Sequence, residues 1–152
     1  MSVTIERILC PVDFSEHGIR ALRYAVALAA PRAAAIRLLH VVEVPDALFA
    51  DFDGEVIPPV LLRQFQDEAS RSLEQTAESL RRSHENVSHC LAVGRPFAEI
   101  VQVARDWQAD LIVMPTHGRT GLEHVLIGSV AEKVVRKSPC PVLTVPGDRG
   151  HD

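Results

Sequence analysis

Apolar residues along this chain follow two rhythms that take turns. Short, mainly apolar runs read as strands: Ile8 to Val12; Ile36 to Val44, largely covered on both faces although Arg37, His40 and Glu43 interrupt it; a weaker one, Val87 to Val93; "DLIVMP" at 110–115; and "VLTV" at Val142 to Val145. Between them the apolar positions recur every three or four residues, the period of helices packed on one side. Ser15 is a candidate N-cap for the first helix, whose inner stripe is expected at Ile19, Leu22, Val26 and Ala29, with Pro31 as its stop. The second carries Leu62, Phe65, Ala69, Leu73, Ala77 and Leu80 and fades near His84. A third holds Ile100, Val101 and Ala104 and ends near Trp107. In the fourth, Ser129 and Glu132 have capping-box spacing, Val130, Val134 and Val135 form the expected inner face, and Pro139 and Pro141 end it. Residues 45–59, with Asp46, Asp51, Asp53, Gly54, Pro58 and Pro59, suit an irregular connection and are the expected mobile segment.

The order β-α-β-α-β-α-β-α-β, with right-handed crossovers, predicts an α/β fold: an open five-stranded parallel sheet with helices on both faces. Sheets of this kind bind ligands at the carboxyl ends of their strands, where strand order reverses. With strand order 3-2-1-4-5 the reversal falls between the first and fourth strands, and the segments meeting there are Asp13 to Ser15 and Pro115 to Ser129.

Composition narrows the picture. At 152 residues the chain fits one domain spanning 1–152, with 146–152 expected to fray. Its formal charge is -4, with 16 basic residues scattered among 20 acidic ones, so no nucleic-acid footprint is evident. Cys10, Cys90 and Cys140 have no CxxC spacing and lie in or beside apolar runs, as reduced thiols of a cytoplasmic protein would. Glu6 and Arg7 break any leader-like run, and no stretch is long enough to span a bilayer, so no membrane role is expected.

The chemistry concentrates in "VMPTHGRTGLEHVLIGS", residues 113–129. Neither G-x-x-x-x-G-K-[ST] nor G-x-G-x-x-G is present. Instead Gly118 is followed, after nine residues, by Gly128 and Ser129 at a helix start. Unpaired N–H donors and a partial positive charge at such a start suit a phosphate. A capping serine after a glycine explains the same pair without any ligand, and Gly121 needs only a turn. Asp13 likewise reads either as a ligand residue or as the aspartate closing a strand-to-helix turn. Arg119 could pair with a phosphate or simply be solvated. The seven histidines show no ligand-like spacing; His40 reads as strand interior, and His117 has no nucleophile beside it in sequence. No catalytic residue and no metal ligand are assigned.

From Ile8 to Val145 the chain resembles the universal stress proteins, through "ILCPVDFSEHG", "LLHVVE", "ADLIVMPTHGRTGLEHVLIGSVAEKVV" and "SPCPVLTV". The resemblance implies the adenine nucleotide alpha hydrolase-like fold, with ATP, and Mg2+ in company with it, as the ligand of a stress-response protein with at most slow hydrolysis. ATP-binding members carry G-x-x-G-x(9)-G-[ST], which falls here on Pro115, Gly118, Gly128 and Ser129, the proline replacing the first glycine. It further implies that Asp13 approaches the adenosine part and that the Val41 backbone meets adenine. Pro11, Val12, Met114, Arg119 and Val130 complete the implied lining. A homodimer through antiparallel pairing of Val142 to Val145 is implied too. The alternative is a nucleotide-free dimeric interaction module whose site Pro115 has impaired.

Overall fold

The computed structural model describes residues 2–43, 58–118 and 126–147. In chain order the elements are β1 (Arg7–Pro11), α1 (Glu16–Ala29), a 3-10 turn (Ala30–Arg32), β2 (Ala35–Glu43), α2 (Pro59–Arg81), β3 (Val87–Gly94), α3 (Pro96–Asp106), β4 (Leu111–Pro115), α4 (Ser129–Lys137) and β5 (Val142–Val145). All sheet pairings are parallel, and the strand order is β3-β2-β1-β4-β5, as expected from the sequence. The expected mobile segment 45–59 lies almost wholly outside the described residues; its last residue, Pro59, opens α2, a position that tolerates proline because no intrahelical N–H is needed there. No helix among the described residues is long and apolar enough to cross a membrane.

Alternation along the central strands divides the core in two. Ile8, Cys10, Val12, Ile36, Leu38, Leu111 and Val113 pack against Ala21, Leu22, Ala25 and Ala29 of α1 and Leu73 and Ala77 of α2. Leu9, Leu39, Ile112 and Met114 pack against Ile100 and Ala104 of α3 and Ala131 and Val134 of α4. Sheet residues covered on both sides need no polar alternation, which explains the apolar runs of the central β1 and β4. Burial pushes the Cys10 thiol far above its ordinary range and, to a lesser degree, raises those of Cys90 and Cys140; all three are free.

Two helices present a different face from the one their large apolar residues suggest. In α1 the buried residues are Gly18, Ala21, Leu22, Ala25 and Ala29, whereas Ile19 is 54% exposed. The buried stripe is rotated by roughly 60° from the expected one, counting about 100° per residue. In α4 Ala131 and Val134 are buried and Val135 is 48% exposed. Beside Leu22 and Val134, both helices bring small residues against the sheet, because glycine and alanine permit a close approach of backbones. Phe65 of α2 is likewise exposed, beyond the buried Ala69, Leu73 and Ala77.

Candidate functional site: the crevice between the two central strands

β1 and β4 pair only at Ile8↔Leu111 and Leu9↔Ile112, although both strands run further. The reason lies in the sequence. In a parallel ladder, residues facing the same neighbour alternate. The Val12 N–H bonds to Leu39 on the β2 side, so Pro11 faces β4; the Thr116 N–H bonds to Val145 on the β5 side, so Pro115 faces β1. The next two rungs would each need an N–H from one of these prolines, which have none. The crevice thus opens where two facing prolines end the ladder. Pro115, buried as the last residue of β4, sacrifices no existing sheet bond.

Around this opening the strand exits converge. After β1, Asp13 Oδ1 accepts the Ser15 N–H at 3.0 Å and the Ser15 hydroxyl at 2.5 Å, while Ser15 Oγ accepts the Gly18 N–H at 3.3 Å and caps α1. Phe14 between them adopts φ 63, a conformation costly for a bulky residue, so the turn is fixed by its side-chain bonds rather than by backbone preference. After β4, Gly118 comes so near that a Cβ there would lie 3.1 Å from Asp13 Oδ2. The α4 start is tied to the same exit: Gly128 N–H donates to the Thr116 carbonyl at 2.8 Å, and a Cβ on Gly128 would meet that oxygen at 3.1 Å. Glycine is favoured at 128 by this close approach to backbone, not by φ, which is -71.

Ser129 is the first helical residue rather than the cap, and the expected capping box does not form. Gly128 is the N-cap with no side-chain bond, and Glu132 turns along the helix to Arg136 at 2.8 Å. The S-x-x-E spacing is satisfied in sequence but one residue late, because the Gly128 N–H is held by Thr116. Among the described residues no side chain caps the start of α4. His117 Nε2, fully enclosed and close to Gly128, has no hydrogen-bond partner among the described residues.

On the β2 side, Ala35 and Leu39 bond to β1, so by alternation Val41 turns its N–H and carbonyl the same way, past the end of β1 and into the crevice. His40 stands beside it, its Nδ1 2.7 Å from the Val12 carbonyl and its ring 4.6 Å from that of Phe14. Of the residues expected from sequence, Pro11, Val12, Asp13, Val41, Met114, Pro115, Gly118, Gly128, Ser129 and Val130 lie at or just past the carboxyl ends of β1, β2 and β4 and at the start of α4; Arg119 and Gly121 lie outside the described residues. Phe14 and Thr116 have no role in the sequence reading, and His40 reads there only as strand interior. For His40 the one available signal was a polar residue late in an apolar strand.

A further contact lies behind the site. Gly147, just past β5, crosses His17 in the first turn of α1 so closely that a Cβ would meet the imidazole at 2.6 Å.

Comparison with known proteins agrees with this architecture. A model of the universal stress protein family matches residues 4–146. Universal stress protein MJ0577 of Methanocaldococcus jannaschii is 34% identical over 157 residues, covering 95% of this chain and 97% of that protein. Its solved structure superposes with a TM-score of 0.84, covering 97% of this chain and 100% of that one. At the level of fold alone, a universal stress protein in complex with cAMP gives a TM-score of 0.70 at 21% identity, covering 95% of this chain and 98% of that one. The universal stress protein of Archaeoglobus fulgidus in complex with dAMP gives 0.64 at 22%, covering 94% and 98%.

Proposed function

The chain belongs to the universal stress protein family, and from that premise we propose that it binds an adenine nucleotide, ATP foremost, in the crevice between β1 and β4. The observation that carries this reading is the convergence of Asp13, Gly118 and the uncapped start of α4 on a gap that two prolines hold open. The cAMP and dAMP complexes of structural neighbours support an adenine nucleotide as the ligand class.

In this reading the Val41 N–H and carbonyl address the adenine edge, which offers an acceptor and an amino donor side by side. Asp13 Oδ2, on the oxygen not used by Ser15, accepts from the ribose hydroxyls. The polyphosphate, with Mg2+ in company, lies over Gly118 and the α4 N-terminus, where the Ser129 and Val130 N–H groups and the helix dipole offset its charge. Gly128 keeps that approach free of side chain, and Arg119 is assigned to the phosphates. Pro11, Val12, Met114 and Pro115 form the walls. The nucleotide acts as a ligand or switch in a cytoplasmic stress-response protein, and no residue is assigned to its rapid hydrolysis.

The protein acts as a homodimer through β5. Pro141 and Val145 bond to β4, so Val142 and Thr144 turn their backbone groups to the open edge, as antiparallel pairing about a two-fold axis requires. One observation favours a second reading, a nucleotide-free dimeric module: Pro115 withholds a donor and adds a ring where ATP-binding relatives have glycine.

Titration calorimetry with ATP, ADP and AMP distinguishes them. We expect ATP to bind in the micromolar range or more weakly, with loss on Asp13→Ala. An absence of heat at millimolar ATP overturns the nucleotide reading and leaves the second.

A further inference from the structure

Resting on the nucleotide reading, we propose that His40 is a positioning residue that keeps the Val41 N–H available to the base by occupying the Val12 carbonyl. The Val12 carbonyl can only accept, so His40 Nδ1 carries the proton in the 2.7 Å bond between them. This carbonyl is the one the β1–β2 ladder would use next. The ladder runs to Pro11↔Leu39, with the Val12 N–H on the Leu39 carbonyl at 2.8 Å, and parallel pairing continues by placing the Val41 N–H on the Val12 carbonyl. That bond is not made. The imidazole takes the acceptor instead, and Phe14, at φ 63 with its ring against the imidazole, turns the chain away from the rung that would follow.

His40 therefore does two things at once. It ends the ladder one rung early, leaving the donor at Val41 unspent, and it anchors the peptide that leads directly into Asp13. Without a side-chain donor at position 40, the Val12 carbonyl recruits the Val41 N–H, and the base-reading edge closes against β1.

The test compares the parent with His40→Leu, which keeps an apolar side chain of similar bulk but no donor, and His40→Asn, whose Nδ2 stands where the imidazole Nδ1 does. Amide hydrogen exchange at Val41 is measured without ligand, and ATP affinity by calorimetry. In H40L we expect the Val41 amide to slow by at least about tenfold and ATP to weaken by about tenfold, the value of one good hydrogen bond. In H40N both stay near the parent, to within about threefold. The proposal is overturned if H40L leaves the Val41 amide fast, or if H40N loses as much affinity as H40L while folding normally. Should the parent bind no nucleotide, the reading of the site falls, and the Val41 amide still decides what His40 does.

Discussion

Replacing Pro115 by glycine moves affinity and stability in opposite directions. The substitution restores an N–H that faces the crevice, beside the proposed path of the nucleotide's ribose and phosphates. One hydrogen bond to a charged acceptor contributes about 1.5–3 kcal/mol, so ATP should bind roughly ten- to a hundredfold more tightly. Stability falls for separate reasons. The ring is buried, and losing its three methylenes costs about 2.4 kcal/mol at about 0.8 each. The freer unfolded chain adds about 1 kcal/mol. The sum of about 3 kcal/mol corresponds to a fall in Tm of roughly 6–12 °C for a chain of this size. Pro115→Ala separates the two possible origins of a gain, because it restores the donor while keeping a Cβ. Calorimetric titration with ATP and scanning calorimetry of the free proteins are the measurements. If Pro115→Gly binds ATP no better than the parent, the missing donor is not what limits the site, and the new N–H has been spent across the gap on Pro11.

Other expectations follow from the same geometry. Gly128→Ala forces a Cβ to 3.1 Å from the Thr116 carbonyl, so the start of α4 must shift; ATP affinity should fall at least about tenfold by calorimetry, with a loss of about 1–3 kcal/mol in denaturant unfolding. Thr144→Pro removes a donor from the open edge of β5 without touching the bonds to β4, and light scattering should show a dimer in the parent and a monomer in the variant; a parent that is already monomeric refutes pairing through this strand. Glu74 of α2 bonds His89 of β3 and Arg81 at the end of its own helix, and its bond with His89, then that with Arg81, lowers its carboxyl pKa. A lowered folded pKa means stability that is present above the ordinary carboxylate range and lost as pH falls through the folded value. The stability difference between the parent and Glu74→Gln should therefore shrink as pH is lowered from neutrality through the folded carboxyl's titration, and salt should reduce it at neutral pH, where the carboxylate is charged.

Strand order, the four α-helices among the described residues and the approach of Asp13 to Gly118 were all legible, because they depend on periodicity and on the connection rules of parallel sheets. Resolution was lost where single-residue register decides. Nothing in "GSVAE" says whether glycine or serine is the cap; that choice belongs to the Thr116 carbonyl, a tertiary partner. The inner faces of α1 and α4 were misjudged at Ile19 and Val135, since hydrophobicity ranks isoleucine and valine above the alanines that the sheet can approach more closely. His40 stayed hidden for a third reason. Its role depends on which way each backbone group turns at the end of β2, and side-chain type alone does not carry that information.

Pro11 and Pro115, facing one another without a donor between them, also determine what arrival of a ligand requires. A cleft closed by ordinary rungs would have to be pried apart, and each broken bond would be subtracted from affinity and added to the barrier for entry. Here β1 and β4 share no rung beyond Leu9↔Ile112, so entry of the proposed ligand between their ends has no sheet bond to break.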